Sequence, residues 1–279
     1  MNYFNKNHEW RNRDPLDKGQ GISILIPYRD DGTGRRRIFE WLERYYFWRL
    51  PEAQFIIGED SGTPFSKTQA VNRAARHASG DIFVILDADC WIDPRVITEA
   101  AHRIRVARAR HKRRWYIPYE HLYRLTEEAS ERVLDENPFW MPAPNVWEGW
   151  FGTDQDIDNS DESGIGHNFG ALIQIMPREA FWEVGGMEAR CRGWGTDDIA
   201  FVMALDTLYT RHRTLDNDVF TFHHEPRGRR HHRLWEGQEN EDPNGRLGER
   251  YSRALGDPGK MRALVDEGLE WFREIEGLD

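Results

Sequence analysis

Two aspartates one residue apart, Asp87 and Asp89, close an apolar run, Ile82–Leu86. The run is short, β-branched and aromatic, which is the pattern of a buried strand. In an open parallel sheet, ligands bind in the crevice outside the carboxyl ends of such strands. Two carboxylates this close repel each other unless a cation stands between them. Their hard oxygens suit Mg²⁺ or Mn²⁺, so the pair implies a metal-bridged diphosphate at a strand end. The bland alternative is a solvated Asp-x-Asp turn ahead of a helix opened by Pro94.

Other residues could serve the same rim. Pro27-Tyr28-Arg29 follows a first apolar run, offering an aromatic ring to stack a base and a cation to pair with phosphate. Glu59-Asp60 follows a second, where an acid can accept hydrogen bonds from a nucleobase or ribose; a plain turn acid is the alternative. Far along the chain stands Gly193-Trp194-Gly195-Thr196-Asp197-Asp198. Glycines flanking a Trp allow a loop that swings a flat face over a sugar. The two acids then fall at a helix N-terminus, where one can act as general base and either can merely cap. His223-His224 follows a late strand and offers an imidazole to a metal held by Asp89; a surface or core pair is the competing reading.

Several patterns carry less. Gly32-Thr33-Gly34-Arg35 resembles the glycine loop of a sugar nucleotidyltransferase but comes late after its strand. Asp154-x-Asp156-x-Asp158 imitates a calcium loop, yet Asn159 and Ile165 stand where that loop needs Gly and Glu. His231-His232 and the basic run 103–114 read as solvated, and neither a GxGxxG nor a GxxxxGK[ST] motif occurs.

The elements that must position these groups alternate. Strands are expected at 22–27, 55–57 and 82–86, with helices at 35–50 and 67–78 between them. The 35–50 helix has a stripe of Ile38, Trp41, Leu42, Tyr45 and Trp48. This β-α-β-α-β order predicts an α/β fold with a mostly parallel sheet. Further helices are expected at 94–110, 126–137, opening at Pro177 as first helical residue, at 197–209 and from Asn244. Further strands are expected at 115–119, 171–175 and 219–222. Residues 1–20 form a polar arm and 241–279 a helical tail. Between them, 21–120 reads as a nucleotide-sugar half and 121–240 as an acceptor half. The aperiodic stretch 138–167, rich in Pro, Gly, Trp and acids, is too long for an ordinary connector and reads as a functional loop.

Composition narrows the classes. A net charge of −10 argues against an extended nucleic-acid surface. Two cysteines suggest no disulfide framework, and a reducing cytoplasm fits. No run of about 18 apolar residues exists, so no membrane span or Golgi-type anchor is expected. Twelve Trp exceed what a core usually needs, and sugar sites favour flat aromatic faces.

Together these motifs resemble a GT-A glycosyltransferase close to family 2, over roughly 22–226. The carriers, in order, are Ile26-Pro27-Tyr28-Arg29, Glu59-Asp60-Ser61-Gly62, Lys67 with Asn72, and Asp87-Ala88-Asp89. Phe169-Gly170-Ala171, Val184-Gly185-Gly186-Met187 and Gly193 to Asp198 then resemble the C-terminal half of β-1,4-galactosyltransferases and polypeptide N-acetylgalactosaminyltransferases. The compact, Arg-rich chain looks like bacterial or bacteriophage enzymes.

The resemblance implies a Rossmann-like, three-layer α/β/α sandwich with a mostly parallel mixed sheet. It implies a metal-dependent inverting transfer from a nucleotide-diphosphate sugar, UDP-sugar first. The acceptor would be a glycan, a protein or, as in phage enzymes, a modified nucleobase. Donor contacts would come from Pro27, Tyr28, Arg29, Glu59, Asp60, Lys67, Asn72, Asp87, Ala88, Gly170 and Trp194. Metal contacts would come from Asp89, Asp87 and one of His223 and His224, with His224 favoured for preceding a Glu-Pro turn. Asp198 would be the base, with Asp197 where the family often has Glu. A base of ordinary carboxylate pKa, roughly 4, would suffice. A sugar nucleotidyltransferase and a non-catalytic carbohydrate-binding module are the alternatives.

Overall fold

Three parallel strands and one antiparallel strand form the main sheet of the computed structural model. It describes residues 18–32, 34–144, 170, 172–193, 195–224 and 243–277. Trp194, Thr33, Phe169, Ala171, His231, His232, the aspartates of 154–158, most of the 138–167 loop and most of the polar arm lie outside the described residues.

The strands are β1 (Ile22–Pro27), β2 (Gln54–Gly58), β3 (Ile82–Leu86) and, further along the chain, β6 (Ile173–Pro177). Their order is β2-β1-β3-β6, with β6 antiparallel to β3. Every residue of β1, β3 and β6 is buried, so both faces of the sheet are covered. That explains why they are almost wholly apolar, since strands covered on both faces have no reason to alternate; the buried exceptions, Ser23 and Gln174, hydrogen-bond to Gln54 and to the Gly170 carbonyl.

Helix α1 (Arg35–Arg49) joins β1 to β2, and α2 (Lys67–Arg76) joins β2 to β3. Ser66 starts α2 by accepting a hydrogen bond from the Gln69 amide. Gly58 lets α2 lie against β2, since a Cβ there would overlap the Ala70 carbonyl. The α1 stripe differs from expectation at one position. Ile38, Trp41, Leu42 and Tyr45 are buried, but Trp48 is 64% exposed. Ten residues past Ile38 the helix has turned Trp48 to the flank. Arg49 takes the facing place instead, stacked over the Tyr45 ring at 3.9 Å.

A second sheet was not legible as such. It contains β4 (Cys90–Trp91), β5 (His121–Arg124) and β7 (Asp218–Thr221), in the order β4-β7-β5. The strand expected at 115–119 reduces to bridges from Tyr116 to Ile175 and Arg213. Helices α3 (Pro94–Ala109), α4 (Glu127–Asp135), α5 (Arg178–Glu183) and α6 (Asp197–Leu208) complete the body. Pro177 ends β6 and precedes α5 rather than opening it. The tail is two helices, α7 (Pro243–Ala254) and α8 (Pro258–Glu276), both packed on α6.

The aromatic richness serves the core more than expected. Trp91 and Trp115 are fully buried and Trp41 nearly so. Trp41, Trp91 and Phe222 pack within 6 Å of one another, joining α1, β4 and the end of β7. No helix among the described residues is long and apolar enough to cross a membrane.

Candidate active site

The parallel register aligns Pro27 with Gly58 and Leu25 with Ile85, so β1, β2 and β3 end along one edge. Tyr28 and Arg29, Glu59 and Asp60, and Asp87 to Asp89 therefore emerge side by side. The chain leaves β1 for β2 on one side and for β3 on the other, and this reversal of order opens the crevice.

Lys67 stands at the centre. It is the first residue of α2, a poor place for a cation because the helix dipole is positive there. Two carboxylates compensate. Its ammonium donates to Asp198 Oδ1 at 2.8 Å and Oδ2 at 3.0 Å. It also donates to Asp87 Oδ2 at 3.0 Å and lies 2.7 Å from Oδ1. That second contact is poorly directed, so Asp87 Oδ1 is buried without a hydrogen-bond partner. Burial alone would lower the Lys67 pKa, but Asp198, Asp87 and Asp197 together hold it well above its ordinary value. Burial raises Asp87 against the pull of Lys67, and Asp89 adds to the rise. Burial likewise pushes Asp198 up to about 8, with Lys67 opposing and the Asp197 and Asp87 charges adding to it. An ordinary carboxylate was expected there; desolvation makes the difference.

Asp89 faces the other way. His224 Nε2 lies 2.8 Å from its Oδ2. The second sheet makes that meeting possible. Cys90 of β4 pairs with Thr221 of β7, and the Phe222 amide donates to the Asp89 carbonyl. Burial would raise Asp89, but the His224 hydrogen bond and the Arg35 charge prevail and hold it down to about 2. His223 is exposed, and its amide donates to Ser130 Oγ, so of the two histidines only His224 meets Asp89.

Among the described residues, no three His, Cys, Asp or Glu side chains are grouped to hold a metal. The expected ligand set is thus reduced, because Asp87 is drawn to Lys67. What stays is one carboxylate and one imidazole, with the orphaned Asp87 Oδ1 nearby. Oxygen and nitrogen together suit Mn²⁺, and two protein ligands leave room for phosphate oxygens and water. The residues present fit such an ion. Side chains of Lys67, Asp87, Asp89, Asp198 and His224 are 13% to 24% exposed, so a ligand can reach all five.

Several expected donor contacts are engaged elsewhere. Asn72 is buried, and its amide clasps the Met187 backbone in both directions at 2.8 Å. Asp60 is buried, accepting from the Gly62 and Ser66 amides and from Arg73. These contacts order its own turn at the rim. Arg29 donates to the Asp60 and Gly62 carbonyls and lies over the Phe65 ring, so it braces the same turn. Gly170, at φ +84°, accepts from Gln174 Nε2, and a Cβ on it would meet Val202. Pro27 and Ala88 are buried. Glu59 stays exposed at the rim. Tyr28 stacks on Phe39 at 4.2 Å and leaves its hydroxyl without a partner. Burial, then Asp30 and Asp31, raise that phenol's pKa.

Asp197 and Asp198 open α6, but the cap differs from expectation. The N-cap is Thr196, which makes no side-chain cap and holds φ +72°. A β-branched residue in that region is strained by about 1–3 kcal/mol and marks a site where other contacts dictate the backbone. Arg35 beside Asp89, and Thr196, are residues whose part spacing did not reveal. Their only sequence signal was proximity to the glycines at 32, 34 and 195.

Over residues 54–182 the sequence matches the family described as "Glycosyl transferase family 2". No match is found among curated proteins. Among solved structures, the chain is similar to the catalytic domain of Drosophila beta-1,4-galactosyltransferase 7 with xylobiose. The identity is 12%, over 70% of this chain and 63% of that one, with a TM-score of 0.34. A mannosyltransferase from Pyrobaculum calidifontis, in complex with GDP-Man and Mn²⁺, gives 14% identity over 94% and 79%, TM-score 0.40. GalNAc-T7 with UDP, GalNAc and Mn²⁺ gives 13% over 91% and 56%, TM-score 0.44. The chain thus spans less than two thirds of the Drosophila domain and of GalNAc-T7.

Proposed function

We propose that this chain, a glycosyltransferase of GT-A fold whose residues 54–182 match family 2, moves a sugar from a nucleotide-diphosphate donor to an acceptor hydroxyl with inversion. A UDP-sugar is the first donor to test. The observation that carries the reading is Lys67, whose single ammonium joins Asp87 at the end of β3 to Asp198 at the start of α6. A donor-side and an acceptor-side carboxylate are thereby fixed about one nitrogen.

The donor diphosphate lies across the ends of β1, β2 and β3. Asp89 and His224 would hold Mn²⁺ or Mg²⁺, which when bound neutralises the leaving diphosphate. Tyr28, with its free hydroxyl, and Glu59 face the base and ribose from the rim. Asp198 accepts the proton of the acceptor hydroxyl as that oxygen bonds to the anomeric carbon. The bond from that carbon to the diphosphate oxygen breaks, and the nucleoside diphosphate leaves with the electron pair. The sugar passes through an oxocarbenium-like state, as in glycoside hydrolysis. A pKa near 8 makes Asp198 a stronger base than a solvated carboxylate and suits proton transfer near neutral pH. Lys67, donating to both its oxygens, holds it in place. The net charge of −10 favours a glycan or protein acceptor over DNA.

Thermal-shift screening of UDP- and GDP-sugars with and without Mn²⁺ tests the donor assignment. Ligand binding stabilises by mass action, so one nucleotide class should raise Tm, and only with the metal present. No shift with any nucleotide sugar under either condition contradicts it.

A further inference from the structure

The Asp197-Asp198 pair is held by a residue far from it in sequence. Asn244, in the first turn of α7, is buried. Its side-chain Oδ1 accepts from the Arg192 amide at 3.2 Å, and its Nδ2 donates to the Arg192 carbonyl at 2.8 Å. Its main-chain carbonyl accepts the Thr196 hydroxyl at 2.8 Å. One residue therefore grips both ends of the segment 192–196, whose described residues include three at positive φ: Gly193, Gly195 and Thr196. One turn on, Gly248 comes so close that an added Cβ would stand 3.0 Å from Thr196 Oγ1 and 3.3 Å from Cγ2. Helix α7 is itself fixed to the same part of the body, through the hydrogen bond from Tyr251 to buried Glu188, which also takes Arg190. Left to itself, Thr196 would leave the left-handed region, and α6 would begin at a different angle. Asp198 would then lose its aim at Lys67.

We propose that Asn244 is a positioning residue for transfer: with Gly248 it clasps the 192–196 loop onto α7 and so sets the place of Asp198. The proposal rests on reading Asp198 as the base. It makes the C-terminal helix pair part of the catalytic apparatus rather than an appended tail.

The test uses the full chain and two variants, Asn244→Ala and Gly248→Ala. Three quantities are read: hydrogen exchange of the amides in 192–198, affinity for UDP or GDP with Mn²⁺, and kcat for release of nucleoside diphosphate from the best donor of the thermal screen. In Asn244→Ala those amides should exchange faster, nucleotide affinity should hold, and kcat should fall at least about tenfold, since a small misplacement of a catalytic group can cost about 10²-fold. Gly248→Ala should lower kcat without lowering Tm, because alanine favours the helix. Unchanged exchange and kcat in both variants overturn the proposal. So does a kcat loss matched by an equal loss of nucleotide affinity, which is general damage. Faster exchange in Asn244→Ala, alongside a wild type that turns over no donor, supports the clasp and contradicts the base assignment instead.

Discussion

A carboxylate proposed to take a proton near neutral pH would gain from burial, and Asp198 is buried beside a cation that opposes the effect. Desolvation lifts it to about 8, while Lys67 keeps it oriented and partly offsets the lift. Asp198→Asn preserves the shape and, through its one amide oxygen, one of the two hydrogen bonds from Lys67, but cannot accept the proton. Turnover should fall by about 10²–10⁴-fold with nucleotide affinity intact, as measured by steady-state kinetics beside calorimetry. Retention of near wild-type turnover would remove Asp198 from the base role. The same substitution predicts a stability signature. The folded pKa of Asp198 lies far above the unfolded value of about 3.9, so its stabilising contribution is full below that value and fades as pH rises to about 8. Asparagine stands in for the neutral acid at every pH. The Tm of metal-free Asp198→Asn relative to wild type should therefore climb between pH 5 and about 8 and level off above, whereas parallel curves would deny the raised pKa. Of these residues, the acids and His224 were open to notice in the sequence as candidates, because their types suggest chemistry. The role of Lys67 as bridge was not, because nothing local says that a lysine opening α2 will meet an aspartate opening α6.

At the scale of elements, what could be read was what repeats. Strand β3 is an unbroken apolar run and β1 is broken only by Ser23, because both faces are covered, and α1 carries a stripe of 3- and 4-residue spacing. The second sheet escaped because β4 is two residues long and β5 reads His-Leu-Tyr-Arg, so their pairing depends on β7, far along the chain. Yet that sheet carries His224 to Asp89. Asn72 and Asp60 show a related limit: spacing alone does not reveal that such polar residues have backbone partners, here Met187 and the 62–66 turn. The packing of α2 on β2 gives a direct test. Gly58→Ala would press a methyl into the Ala70 carbonyl, backbone that cannot rotate away. Overpacking of this kind costs about 1–3 kcal/mol, so Tm should drop by several degrees, at about 2–4 °C per kcal/mol. Thermal unfolding followed by circular dichroism checks it; an unchanged Tm would mean α2 stands off the sheet more freely than described.

At the scale of the molecule, the chain divides its chemistry between distant stretches and uses the fold to reunite them. On the proposed function, strand ends within 22–89 would supply the donor edge, α6 would supply the base, and the strand leading to His224 brings the imidazole to Asp89. Helices α7 and α8 then pack over α6 from outside. The proposed function requires that a nucleoside diphosphate bind at this edge through a divalent ion held by Asp89 and His224. Calorimetric titration of UDP and of GDP into wild type and Asp89→Ala, each with and without Mn²⁺, measures this directly. The prediction is saturable binding of one nucleotide to wild type only when Mn²⁺ is present, and its loss in Asp89→Ala at unchanged circular dichroism. Binding of equal strength without the ion, or in the variant, would contradict it.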